Sequence, residues 1–362
     1  MTKNPYNPTF GKLPERFLGR EIIIDEILNA LNEPNSPWST TLLIGIRGSG
    51  KTAILSDLNR LVKDENIIVV SVTPEIDFLD DTLGQLYRNL PKSFLSSIPK
   101  PKNISFAGIG FETFNDNKEP PFTSTFRYQI TTMLDFLKRK KYRVLFLIDE
   151  SQRHSEQMRT FIATYQQLIR ENYELTLVMA GLPNVISDIL NDNVLTFLRR
   201  ANQVELQSID TELVKLDYYD AFLNKFSIEK SILDLAAIDT KGYPYLIQLI
   251  GYYLWRNLSN GIEDYTAYQN ALVMAKSTLN QNVHKMLYNS LSESEKNFVH
   301  AMAKDNEFSY ITEIVKRLNK TKNHVSTYRV RLIESGYIKS AGHGKVEFVM
   351  PYTNNFLNSL NS

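Results

Sequence analysis

The sequence predicts an α/β chain: a parallel sheet covered on both faces, then a helical region, then a small unit of three helices and a hairpin. Three observations carry this expectation. Short apolar runs at 41–44, 67–72, 144–148 and 175–180 alternate with segments of helical period, as in a sheet whose strands are buried on both sides. After Ser208 the apolar spacing becomes purely helical. The tail, 290–362, carries its own start and stop signals.

The elements follow in order. Residues 1–16 hold several Pro and Asn and read as an extended arm. Residues 17–21 lead into an amphipathic helix over 22–31, and Pro34 and Pro37 break the chain after it. Strand 41–44 ends in glycines, and a helix then runs to about Val62. Strand 67–72 follows. Residues 91–122 interrupt the rhythm with Pro91, Pro99 and Pro101, and the partial alternation over 104–111 suggests a β-hairpin insertion. A helix over 125–139, strand 144–148, a helix over 156–170, strand 175–180 and a short strand over 204–206 complete the sheet region. Helices are expected near 211–226, 229–238, 243–258 and 264–286. The domains are therefore 1–208, 209–286 and 287–362.

The chain has 362 residues with a formal charge of +1 and an apolar fraction of 43%, so a large core is available and there is no global polyelectrolyte signal. Any nucleic-acid contact has to come from a local basic face. There are no cysteines, which excludes disulfides, thiolate metal sites and cysteine nucleophiles. The five histidines are scattered without ligand-like spacing. The N-terminus lacks the apolar run of a signal peptide, and the longest apolar runs are far short of the ~20 residues that span a bilayer. The expectation is a cytoplasmic protein with no membrane partner.

Gly45, four residues, then Gly50, Lys51 and Thr52 fits the phosphate-loop (Walker A) pattern, and it lies between a strand and a helix. The chemistry needs this spacing. Gly45, Gly48, Ser49 and Gly50 let successive backbone N–H groups face phosphates, with a helix N-terminus behind them. Lys51 reaches the β- and γ-phosphates, and Thr52 offers a hydroxyl to Mg²⁺. The run 145–148 then delivers Asp149 and Glu150 to the carboxyl end of a buried strand, where ligands of open α/β sheets bind. Asp149 is placed to hold Mg²⁺, directly or through water, and Glu150 to orient the attacking water. The reading is an ATPase with ATP and Mg²⁺ as ligand and cofactor.

Weaker candidates surround this centre. Asn184, after the strand ending at Ala180, suits a γ-phosphate sensor or a simple turn. Arg199 and Arg200 precede the last strand, where a guanidinium stabilises transition-state charge in its own or a neighbouring subunit; a plain surface pair fits equally. Pro244, in Gly242-Tyr243-Pro244, is either an ordinary helix start or an adenine contact.

These residues carry a family resemblance. Phe17-Leu18-Gly19-Arg20-Glu21, the phosphate loop, Asp149-Glu150-Ser151-Gln152, Ala180-Gly181-Leu182-Pro183 and Gly242-Tyr243-Pro244 recur in this order in the origin-recognition-complex-like AAA+ ATPases of bacteria and archaea, which border the STAND signalling ATPases. The segment 104–111 resembles theirs too, and the likeness covers nearly the whole chain. The resemblance implies that Arg20 sits near the adenine, that Arg199 or Arg200 is an arginine finger, and that the nucleotide is ATP rather than GTP. One departure is visible. AAA+ proteins usually carry a sensor arginine in the lid helix, and residues 244–247 hold none. That leans toward the STAND-like end.

In the tail, Ser292 to Glu295 forms a capping box that starts a helix. Ile311, Ile314, Val315 and Leu318 mark a second, and Thr321 caps a third that Gly336 ends. Residues 337–340 and 345–349, joined through Gly342-His343-Gly344, form a hairpin, which makes a winged helix-turn-helix. Lys322, Asn323, Ser326, Arg329 and Val330 lie on the expected exposed face of the third helix, with Lys320 before it and Lys345 on the wing. These suit a major-groove reader of duplex DNA, and packing on the ATPase or on a protein partner fits them also. The function expected is an ATP-controlled switch that organises DNA or a protein and forms oligomers through an arginine finger. The rival is a STAND-type signalling ATPase acting on proteins alone.

Overall fold

The computed structural model describes residues 3–9, 14–33, 35–95, 125–151, 155–193 and 195–360. The hairpin expected over 104–111 and the position of Gln152 lie outside these residues.

The chain enters through helix α1 (Glu21–Ala30) and strand β1 (Thr40–Ile44), which leads into α2 (Lys51–Leu61). Then come β2 (Ile67–Val72), α3 (Phe78–Arg88), α4 (Phe126–Arg139), β3 (Arg143–Ile148), α5 (Glu156–Arg170), β4 (Leu175–Gly181), α6 (Pro183–Asn191) and β5 (Asn202–Glu205). The five strands form one parallel sheet in the order β2-β3-β4-β1-β5. Strand alternation sorts the core into two layers. Leu43, Leu145, Leu147, Val178 and Ala180 pack with Ile24 and Ile27 of α1 and Ile54 and Leu58 of α2. Leu42, Phe146, Ile148, Leu177 and Met179 pack with α3, α4, α5 and α6 on the other face. Residues 144–148 are all buried, so this strand has no solvent-facing side to betray its direction in the sequence.

Two departures from the sequence reading concern helices. Helix α3 was not expected, although Phe78, Leu83 and Leu86 recur at helical spacing with Asp80, Asp81 and Gly84 off the buried face. Its Phe78, Leu83 and Leu86 fill the core against Phe161 and its neighbours. The long helix expected over 264–286 is α10 (Asp264–Leu279), relaxed into a π turn over Asn280–His284, then α11 (Lys285–Asn289).

The helical region comprises α7 (Thr211–Leu223), α8 (Lys230–Asp239) and α9 (Pro244–Ser259), packed with α10 in one core. The N-terminal arm is part of that core. Tyr6 is 1% exposed, and its ring lies so close to Gly251 that a Cβ there would meet it at 2.6 Å. Its hydroxyl donates to Asp217 at 2.8 Å, and Arg16 donates to the same carboxylate at 2.8 Å. A buried carboxylate is tolerated when it is paired in this way.

The last unit holds α12 (Glu293–Met302), β6 (Ser309–Tyr310), α13 (Ile311–Leu318), α14 (Lys322–Glu334), β7 (Ile338–Ser340), β8 (Lys345–Phe348) and α15 (Thr353–Ser359) around its own core. Both bonds of the capping box at Ser292 and Glu295 are present. The hairpin β7-β8 gains a third, two-residue strand, β6, giving the antiparallel order β6-β8-β7. Neither β6 nor α15 has enough residues to leave a periodic signal. This unit is not free of the rest. Helix α14 contacts α6, and a Cβ at Gly336 would lie 3.5 Å from Ile46 and 3.9 Å from Pro183.

Candidate nucleotide site

Strand β1 sits between β4 and β5, so the loop after it opens at the carboxyl edge of the sheet beside the ends of β3 and β4. A cavity of about 870 Å³ occupies this edge. Its walls include Gly48, Gly50, Lys51 and Thr52 of the loop, Asp149 and Glu150 after β3, and Gly181 and Leu182 after β4.

Backbone geometry explains the glycines. Gly48 and Gly50 take φ of 72° and 95°, in the left-handed region where a side chain is strained. Gly45 has ordinary φ but no room: a Cβ would lie 2.4 Å from the Ser49 hydroxyl. Gly45 and Ser49 do not line the cavity, and the buried Ser49 Oγ has no hydrogen-bond partner. Their part is to shape the loop.

Lys51 folds back on its own loop. Its ammonium donates to the carbonyls of Gly45 at 2.7 Å and Ile46 at 2.8 Å. Burial lowers its pKa to about 8; the Asp149 carboxylate opposes the shift, Arg47 adds to it and Glu150 opposes it. Asp149 continues the strand ladder, its N–H donating to Val72 at 3.1 Å, and Ser151 donates to Ala180 at 3.0 Å. Glu150 between them has φ of 52°, is exposed, and donates its N–H to Asp149 Oδ1 at 2.9 Å. A non-glycine residue in the left-handed region costs of order 1–3 kcal/mol, a strain found where position matters.

Thr52 and Asp149 also border a second cavity of about 730 Å³ between α2, β2 and α3. One hydroxyl and one carboxylate at the same edge form the hard-oxygen set that suits Mg²⁺, which keeps waters and takes phosphate oxygens for the rest. Among the described residues no cluster of three or more His, Cys, Asp or Glu offers an all-protein metal cage.

The opposite wall comes from elsewhere. Arg20 lines the cavity, is 6% exposed, and donates to the Gln207 carbonyl at 2.6 Å; burial lowers its pKa. Its Nε is buried without a partner. Pro244 also lines the cavity. Phe17 and Tyr245, from the same two sequence boxes, line it too, and sequence reasoning missed their companions: Asn7, Pro8 and Thr9 from the arm, Gln248 from α9, and Asn282, Val283 and Met286 from the π turn and α11. Phe17 had a signal in its place before Gly19-Arg20-Glu21. Gln248 had none; its carboxamide accepts from Asn7 N at 2.9 Å and donates to Arg16 O at 2.9 Å, so it ties the arm to the lid.

Three candidates do not reach this cavity. Asn184 sits in the first turn of α6 with its Oδ1 buried and unpartnered, and it is not a lining residue. Arg199 and Arg200 are exposed in a 3-10 turn, Arg199 Nε donating to Leu190 O at 2.8 Å, and neither lines the cavity of its own chain. In the last unit Lys320, Lys322, Asn323 and Ser326 are exposed as expected. Arg329 is not: it is half-buried, with Nε covered and unpartnered. Lys345 is half-buried, its ammonium 4.2 Å from the Phe308 ring centre and 5.2 Å from that of Tyr310.

A parallel sheet, a glycine loop feeding a helix with Lys and Thr at its head, and an Asp-Glu pair on the second strand away define a phosphate-loop nucleotide-hydrolysing protein. The comparisons narrow this. Residues 16–178 match the AAA ATPase domain family, and 281–357 match a family described as Domain of unknown function (DUF8462). The chain is thus a phosphate-loop ATPase whose residues 16–178 are similar to the AAA ATPase domain. A Walker-type ATPase of Pyrococcus abyssi superposes with a TM-score of 0.65 at 16% identity, covering 94% of this chain and 96% of that one. The Aeropyrum pernix ORC2 protein, in its ADPNP–ADP complexes, gives 0.61 at 11% identity over 98% of both chains. At such identities the likeness is one of fold. A comparison by sequence with curated proteins returned no match. No helix among the described residues is long and apolar enough to cross a membrane.

The Lys51 geometry predicts a proton signature. Its folded pKa of about 8 lies below the ordinary 10.5, so the unfolded chain binds more protons between those values and this group makes stability rise with pH there. Nucleotide phosphates restore the ammonium's favour. Calorimetry in buffers of different ionisation enthalpy should show proton uptake on ADP binding near pH 8–9, where the phosphates of ADP are already ionised. Lys51→Arg should abolish the uptake, and an uptake that survives this change would contradict the assignment.

Proposed function

We propose that the chain is an ATP-controlled switch, divided at about 208 and 286, whose C-terminal unit acts as a winged helix on duplex DNA. What supports this most is that one cavity is walled by the phosphate loop, the arm, the helical lid and the connector at 282–286, while Gly336 of the last unit rests against Ile46 of the same loop. A ligand that moves the loop is felt by every part of the chain.

In this reading Thr52 and Asp149 would hold Mg²⁺, which would supply positive charge against the phosphates. Lys51 leaves the Gly45 and Ile46 carbonyls for the phosphates. Glu150 orients a water in line with the γ-phosphorus and takes up its proton as the new P–O bond forms. The bond to the β–γ bridging oxygen breaks, and ADP and phosphate are released. Arg20 fixes the base side through the loop and the end of β5, and Pro244 faces the adenine. Lys51→Ala should weaken nucleotide binding about tenfold to a hundredfold. Glu150→Gln should keep affinity within about threefold and lower turnover by about 10² to 10⁴. Equal affinity in the two variants would show the roles to be misassigned, and a turnover that survives Glu150→Gln would remove the base.

Arg199 and Arg200 lie outside their own cavity, so a role for either at the phosphates is one in trans, across a contact between copies. Specific activity should then climb with protein concentration. Mixing an Arg199→Ala/Arg200→Ala variant with Glu150→Gln should restore part of the hydrolysis. Concentration-independent activity without complementation would make them local structure.

Lys320, Lys322, Asn323 and Ser326 leave the N-terminal half of α14 open for a major groove, with Lys345 on the wing. Fluorescence anisotropy of the full chain on duplex DNA over a salt series should give a slope that flattens by about one unit in Lys322→Ala. ATPase activity without DNA should be unchanged. Absence of binding at low salt in either nucleotide state would favour the second reading, a STAND-type signalling ATPase acting on proteins. That reading is supported by the internal use of Arg329 and Lys345 and by the contact of α14 with α6.

A further inference from the structure

Tyr243 is the residue just before Pro244, and it caps α9 in extended conformation with 3% exposure. Its own backbone is held in place. Gly242 has φ of 64°, a Cβ on it would lie 2.1 Å from the Ile209 carbonyl, and Ile209 N donates to Gly242 O at 2.8 Å. From this fixed base the phenol crosses to the phosphate loop. A Cβ on Gly48 would lie 2.2 Å from its hydroxyl and 2.8 Å from its Cζ. The hydroxyl donates to the Arg47 carbonyl at 2.6 Å. Burial holds the phenol well above its ordinary pKa, so the donor persists through the working pH range.

The Arg47 carbonyl and the Gly48 N–H belong to one planar trans peptide unit and point in opposite directions. With the carbonyl tied to Tyr243, the Gly48 N–H faces away from the phenol, and Gly48 lines the cavity. A flipped peptide would turn the N–H toward Tyr243 and present a carbonyl oxygen where an anion has to lie. We infer that Tyr243 is a positioning residue for nucleotide binding: its hydroxyl anchors the Arg47 carbonyl on the lid side and so holds the Gly48 N–H toward the phosphates. The loop is then a competent anion cradle only while α9 is seated on it, and the lid is sensed through one hydrogen bond.

The test uses the full chain with Tyr243→Phe, which keeps the ring and removes the donor. Three probes are titrated: ADP, inorganic pyrophosphate and adenosine. Affinity for ADP and for pyrophosphate should each fall about three- to tenfold, adenosine should bind as to wild type, and the melting temperature without ligand should move little. Unchanged ADP affinity would overturn the inference. Equal weakening for adenosine would do so as well, since the tyrosine would then act through the base side or general packing. Tyr243→Ala supplies the control: if it alone loses ADP while Tyr243→Phe matches wild type, ring packing rather than the hydroxyl is what matters.

Discussion

Residues 45–50 have to offer backbone amides to an anion with nothing in the way, and the space left by absent side chains is filled by the rest of the chain. The Ser49 hydroxyl occupies the place of a Gly45 side chain, the Tyr243 phenol that of Gly48, and a Cβ on Gly50 would lie 3.4 Å from the Phe17 ring. Arm, lid and loop are therefore mutually dependent.

Much of this could be read in advance, for different reasons at different places. The glycine spacing with Lys51 and Thr52 is legible because phosphate chemistry fixes residue type and interval together. Asp149 and Glu150 are legible because a fully apolar strand has to end somewhere. The third helix of the last unit is legible from Thr321, Val325, Leu332 and Gly336. What could not be read depends on parts far apart in sequence. Tyr6 is an arm residue in composition and a core residue in space. Gln248 earns its place by contacts 241 and 232 residues away. Arg329 shows the reverse case, a basic residue on an expected outer face whose Nε is covered.

The same geography bears on how a small ligand acts at a distance. The cavity touches the sheet edge, the arm, α9 and the connector, while β4 passes straight from two lining residues, Gly181 and Leu182, into α6, which α14 meets. Coupling of this kind needs a contiguous packed route whose parts have alternative arrangements. The route here is short, and Asn184 of α6 holds a buried atom without a partner. Such atoms are costly where they are and gain from any rearrangement that gives them one.

Strand order has a consequence for how the chain is made. Strand β1 is an inner strand of the sheet and lies near the start of the chain, yet its hydrogen-bonding neighbours are residues 177–181 and 202–205. During synthesis, β2 and β3 can pair while β1 still has no partner for its backbone or cover for Leu42 and Leu43. The nucleotide loop, which hangs from the end of β1, gains its rigid support only when β4 and β5 have been added. Binding competence thus waits for residues 175–205, and until they emerge this chain carries an apolar strand without its sheet neighbours.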